Sequence, residues 1–208
     1  MPVAAIALAV VVAASQPNLA KLVLKATSVG AGYQLVQRTD GHGTGQRTLD
    51  LCGTSNYASE RLRVDRLQVD YGKTGAPLAL SNEVVTYKAG GAAEAMREVA
   101  QHAKTCPKKP IAFEGQPPLR YTFTRVFDSK LVPGALAYRV NVSGKINGKP
   151  VSAIRYAIYQ RVGSVLSGVY SYAVKGEPGA AQQAFALHAA EASAKALRAG
   201  SGAGGLTA

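Results

Sequence analysis

Arg139, Arg155 and Arg161, together with Asn141 and Tyr159, are the side chains of this sequence best suited to hold a ligand. Guanidinium groups take carboxylates and phosphates through paired hydrogen bonds, and tyrosine rings stack on sugars or on the guanidinium itself. From position 129 to 176 the chain carries seven bases and no acid, so any anion meeting this stretch finds no repulsion there. The spacing predicts that the five residues share one sheet face. Leu136, Tyr138, Val140 and Val142 form the apolar side of one strand, and Ile154, Tyr156 and Ile158 that of the next. For both apolar sets to meet one core, even residues must oppose even ones. That requires a three-residue loop at 146–148 with Gly148 in the left-handed region. Arg139 then stands opposite Arg155, which costs stability unless an anion, a carboxylate or solvent offsets it. A two-residue turn at Gly163-Ser164 adds Tyr170 and Tyr172 to this ligand-binding face. The plainer reading of the same residues is a solvated outer sheet face.

Catalytic chemistry finds less support. Glu60, Asp70 and Glu83 fall near strand ends, and paired carboxylates there would make the chain a secreted hydrolase of envelope polymers, which is the alternative function. No Gly-x-Ser-x-Gly elbow occurs. His42 lies in the glycine loop Gly41-His42-Gly43-Thr44-Gly45, and His102 and His188 lie on helices. The glycine run leads into a strand-like segment, whereas a phosphate-cradling loop must open a helix, so no nucleotide site is expected. Two cysteines and scattered histidines make no metal-ligand cluster; neither metal nor cofactor is expected, and the chain reads as a non-enzyme. Cys52 and Cys106 fit one bridge in an oxidising compartment, with two buried free thiols as the alternative.

The wider composition sets the class. At 208 residues, 47% hydrophobic and 17% charged, the chain suits one globular domain. Its net charge is +12, of which the first hundred residues carry +2 and the remainder +10. Residues 3–14 are an unbroken apolar run, about 18 Å long as a helix and too short for a hydrocarbon core of about 30 Å. Residues 1–14 therefore read as a signal peptide or N-terminal anchor, leaving a single domain at 15–208 with a flexible tail from 199. Export follows, to the medium or the cell envelope. The expected partner is a small molecule or an anionic envelope polymer, with peripheral membrane or wall contact. Nucleic acid is not expected, and the chain is expected to be a monomer.

The elements that must carry these residues are legible from periodicity and turn chemistry. Strands are predicted at 33–38, in a short run ending at Leu51 and Cys52, at 62–71 with a bulge at Asp65-Arg66, and at 82–88. Gly90-Gly91 opens a helix with Ala92, Met96, Val99 and Ala103 on one face, and Pro107 stops it after Cys106. An irregular stretch at 107–118 precedes a meander of strands at 120–127, 135–145, 151–162 and 165–174. An alanine-rich helix at 179–198 closes the domain. The fold class is α+β, an antiparallel sheet with a C-terminal meander, backed by two helices, one of which a Cys52–Cys106 bridge would tie down.

Leu49-Asp50-Leu51-Cys52-Gly53, Ser59-Glu60-Arg61, Arg66-Leu67-Gln68-Val69, the run Ser81-Asn82-Glu83-Val84-Val85-Thr86-Tyr87, Gly90-Gly91-Ala92 and Cys106-Pro107 carry a resemblance. Over residues 49–107 the chain resembles exported actinobacterial sensor-domain-like proteins, related to the extracellular sensor domain of bacterial receptor Ser/Thr kinases. The meander and last helix are more loosely similar. The resemblance implies a helix-backed antiparallel sheet, a helix-tethering disulfide, a cleft holding an unidentified ligand, and no enzyme activity. The kinase sensors have two bridges where this chain has one possible pair.

Overall fold

A computed structural model describes residues 17–42, 48, 49, 51–53, 57–113, 116–173 and 179–200. The expected signal segment at 1–14 lies outside them, as does 201–208 of the expected tail. Two one-turn helices, α1 (Leu19–Leu22) and α2 (Ala26–Val29), lead into β1 (Gln34–His42). Two 3-10 turns, Leu51–Gly53 and Ala58–Leu62, precede β2 (Arg63–Gly72) and β3 (Leu78–Tyr87). Helix α3 (Gly91–Thr105) is followed by β4 (Ile111–Phe113), β5 (Gln116–Val126), β6 (Leu136–Ile146), β7 (Lys149–Val162), β8 (Val165–Ala173) and α4 (Ala180–Gly200). The segment expected to be a strand at Leu51 is a 3-10 turn, His42 ends β1 instead of sitting in a loop, and the stretch expected to be irregular contains β4 and the start of β5.

The eight strands form one antiparallel sheet in the order β1-β2-β3-β8-β7-β6-β5-β4. Strands β5 to β8 are the expected meander, and its last strand closes against β3, so the two halves of the chain share one sheet. Each face has its own helix and core. On one face α4, with α1 and α2 beside it, packs on Leu67, Val69, Tyr71, Leu80, Val84, Tyr156, Ile158 and Val169. On the other, α3 packs on Val85, Tyr87, Tyr138, Val140, Val142, Tyr159 and Leu166. Each fully buried aliphatic residue contributes about 1.5–3 kcal/mol of transfer free energy. The central β3 is buried on both sides from Leu80 to Tyr87.

The helices sit where their residues allow close approach. Gly90 opens α3 at φ 81°, a left-handed conformation that favours glycine. A Cβ on Gly91 would lie 2.8 Å from those of Leu62 and Tyr87, so the first turn of α3 rests on the sheet itself. The buried face of α4 is mostly alanine, with Ala186, Ala189, Ala190 and Ala194 all at 0% exposure, which brings its backbone against β7 and β8.

The two-sided core overturns the expected register of the β6–β7 hairpin. Asn147 (φ 50°) and Gly148 (φ 76°) form a two-residue turn, and Ile146 pairs with Lys149. Two consecutive left-handed residues match the strand twist, so this turn is favoured. Even residues therefore oppose odd ones: Arg139 faces Tyr156, and Arg155 faces Val140. The expectation of an Arg139/Arg155 pair assumed that one face was solvated. With a helix on each face, the apolar sets of the two strands can point in opposite directions and both be buried. The Gly163-Ser164 turn has the expected two residues, and Arg155 pairs with Tyr172. The bulge expected at Asp65-Arg66 occurs between Arg63 and Asp65.

Candidate functional site

Under α3, the sheet face is apolar near the helix and polar beyond it. Strand alternation puts Arg66 and Gln68 of β2, Ser81 and Glu83 of β3, Tyr170 and Tyr172 of β8, and Arg155 and Tyr159 of β7 on this side. These residues line a cavity of about 190 Å³, with Tyr121 and Phe123 of β5 on its far wall and Thr48, Leu51 and Cys52 on its near one.

The floor is a buried polar network. Arg66 and Glu83 are 5% and 3% exposed and form an ion pair, with Arg66 Nε donating to Glu83 Oε1. Arg66 Nη2 donates to Gln68 Oε1, and Gln68 Nε2 donates to Asp70 Oδ1 at 3.0 Å and Ser81 Oγ at 3.1 Å. A buried guanidinium persists only with its charge matched and its donors satisfied, and this network supplies both.

The near wall is held by two devices. Glu60 Oε1 accepts from the backbone N–H groups of Thr48 (3.0 Å) and Leu49 (3.3 Å), while its other oxygen pairs with Arg63 at 3.0 Å. The Cys52–Cys106 disulfide, with Cα atoms 5.5 Å apart, joins the same segment to the end of α3. The expected bridge is thus present, and it fixes one side of the cavity relative to the helix above it.

Aromatic rings and one cation form the rest. The Arg155 guanidinium lies 5.5 Å from the Tyr172 ring centroid, a cation–π contact, and no ion pair of Arg155 occurs among the described residues. Tyr159 and Tyr170 meet edge to face at 5.7 Å. Tyr170 folds back over Gly168, where a Cβ would collide with its hydroxyl. At the apolar end of the same face, burial pushes the Tyr87 hydroxyl far above its ordinary value, and the carboxylates of Glu60 and Glu83 push it the same way.

The structure divides the residues singled out in the sequence. Arg155 and Tyr159 line the cavity, with the added Tyr170 and Tyr172. Arg161 follows the same alternation but is exposed at the strand end, donating to Gly163 O at 3.0 Å. Arg139 and Asn141 point to the α4 side, where Asn141 Nδ2 donates to Thr122 Oγ1 at 3.4 Å. Missed from the sequence as cleft residues were Arg66, Gln68 and Ser81, while Glu83 was named only as a candidate hydrolytic carboxylate. Their signal is two polar stripes, alternate residues of neighbouring strands, which become one network once β2 pairs with β3. Glu60, Asp70 and Glu83 all accept structural hydrogen bonds or ion pairs. His102 packs on the Tyr57 ring at 4.7 Å, and His188 is exposed. Among the described residues no His, Cys, Asp and Glu side chains cluster as a metal site would need, and no helix is long and apolar enough to cross a membrane.

The architecture is an antiparallel α+β domain with a helix on each sheet face and a disulfide-held cleft. It is similar to the extracellular domain of PknH from Mycobacterium tuberculosis, with a TM-score of 0.57 at 16% sequence identity, covering 86% of this chain and 98% of that one. The fold is the one implied by the resemblance at 49–107. No family model matches the chain, and no curated protein matches it.

Proposed function

We propose that this chain is an exported, non-catalytic ligand-binding domain of the cell envelope, sensor-like in kind, and that its site is the cleft between α3 and the polar half of the sheet. One observation carries the reading: Arg155, stacked on Tyr172, overhangs a cavity whose floor charges, Arg66 and Glu83, already neutralise each other. Among the described residues, such a site offers a positive charge outside any ion pair, beside tyrosine rings. It suits a small ligand with a sugar-like ring and an anionic group, the ring stacking on tyrosine and the anion bridging to the guanidinium. The fold likeness to an extracellular domain and the disulfide both support an extracytoplasmic location. Actinobacterial origin and cleavage after residue 14 belong to the same proposal.

The test is native mass spectrometry of protein recovered from its host's envelope or medium. The expected result is a mass beginning near Ser15, oxidised at Cys52 and Cys106, with a retained adduct that Arg155→Ala loses and Arg139→Ala keeps. A reduced, ligand-free chain, or an adduct indifferent to Arg155, overturns the reading.

A further inference from the structure

Strand β1 ends the sheet, and among the described residues nothing covers its outer edge. It runs for nine residues, from Gln34 to His42, with a bulge between Leu35 and Gln37, and from Gln34 to Gln37 every residue is exposed. Leu35 and Val36 are 51% and 72% exposed, two of the few large apolar side chains in water. An uncovered edge presents unpaired N–H and C=O groups, and proteins commonly block such edges with bulges or charge; the bulge here is confined to the start of the strand, leaving 37–42 regular. The charges here are Arg38 and Asp40, on the α4 side of the strand and 3.2 Å apart.

Those two charges do not block a second copy; they select a register. When two identical edge strands pair antiparallel about a two-fold axis perpendicular to the sheet, residue i opposes residue S − i, with S constant. The α4 face of one copy continues into that of the other, so opposed residues must share a face. Because Arg38 and Asp40 both lie on that face, S must be even. With S = 76, Arg38 opposes Arg38, and with S = 80, Asp40 opposes Asp40; like charges facing across a ladder are unfavourable. With S = 78, the axis passes at Thr39 and each Arg38 faces Asp40 of the other copy. Each guanidinium then lies between two carboxylates. The existing Arg38–Asp40 pair is solvent-exposed and weak on its own, so sharing it loses little.

We propose that β1 is a homodimerisation edge, two copies pairing antiparallel about Thr39 with Arg38 opposite Asp40 of the second copy, to give one continuous sheet with both α4 helices on the same face. A second copy is the occupant argued for because the charge order of this edge is complementary to itself when paired antiparallel about Thr39.

Sedimentation equilibrium of the oxidised protein tests this, with Arg38→Asp, Asp40→Arg, the double swap Arg38→Asp/Asp40→Arg, and Thr39→Pro. The wild type is expected to give a concentration-dependent species of twice the monomer mass. Each single variant is expected to be monomeric, since Arg38→Asp places four carboxylates together and Asp40→Arg four guanidiniums. An equimolar mixture of the two single variants is expected to dimerise, and the double swap to recover the wild-type dimer. Thr39→Pro is expected to be monomeric with its melting transition retained. A wild type that stays monomeric up to its solubility limit, as the sequence alone suggested, overturns the proposal. So does a dimer that persists in both single variants and in Thr39→Pro, or a mixture of single variants that stays monomeric.

Discussion

Arg66 and Glu83 form a buried ion pair, on neighbouring strands and two residues out of direct opposition: Arg66 lies across from Val85, and Glu83 from Gln68. The offset lets the long guanidinium reach along the face to Glu83 while its second nitrogen holds Gln68. The pair therefore fixes the relative orientation of three side chains on the cleft floor.

Removing one partner leaves a buried charge with nothing to match it. Glu83→Ala or Glu83→Leu is expected to destabilise the fold by about 3–5 kcal/mol, the range for breaking a buried pair. Urea unfolding monitored by circular dichroism measures it. Replacing both residues with apolar ones of similar volume, Arg66→Met/Glu83→Leu, is expected to recover most of the loss while removing ligand adducts.

The bridge closes a loop with a sequence separation of 54, which the chain-entropy account converts to about 4 kcal/mol. Cys52→Ser/Cys106→Ser is expected to lower the urea midpoint accordingly. Hydrogen exchange should show its largest gain at 48–53 and at the end of α3, because the bridge joins those segments. An unchanged midpoint would mean that the Glu60 hydrogen bonds alone hold the wall.

Gly168 lies beneath the Tyr170 hydroxyl, at the end of a side chain that can swing away. Gly168→Ala is expected to cost about 1 kcal/mol or less in stability yet to displace Tyr170 into the cleft. Ligand retention should fall while the melting temperature changes little. Equal retention by the variant would remove Tyr170 from the site.

Tyr87 has an ordinary value of 10.0, and burial, with Glu60 and Glu83 adding to it, raises it well above that. The sign follows from linkage. Below about pH 10 the hydroxyl is neutral in both states and stability is unaffected; above it, the unfolded chain releases a proton that the folded chain retains, so stability falls as pH rises. One such group contributes a slope of at most about 1.4 kcal/mol per pH unit. Tyr87→Phe is expected to make the alkaline limb shallower in thermal melts between pH 9 and 11. Tyr33 and Tyr71, also raised by burial, account for a slope that remains.

The sequence by itself determined much of the local structure, though not the 3-10 turn at Leu51–Gly53 or strand β4. The two-residue turn at Gly163-Ser164, the position but not the length of the turn at Asn147-Gly148, the opening of α3 at Gly90-Gly91, the meander and the cysteine pair were readable because each depends on backbone preference, periodicity or residue count. What lies opposite what was not. The closure of β8 on β3, strands separated by the whole of α3 and four further strands, is a long-range pairing that no local pattern encodes. That closure places helices on both faces, and the second helix changes the meaning of alternation: an apolar set on either side of a strand is then buried. For this reason Arg139 and Arg155, which share a strand pattern in the sequence, end on opposite faces, and Arg66, on the polar stripe of β2, becomes the buried partner of Glu83. Only the tertiary structure decided these, because which face of a strand is wet depends on what the rest of the chain lays over it.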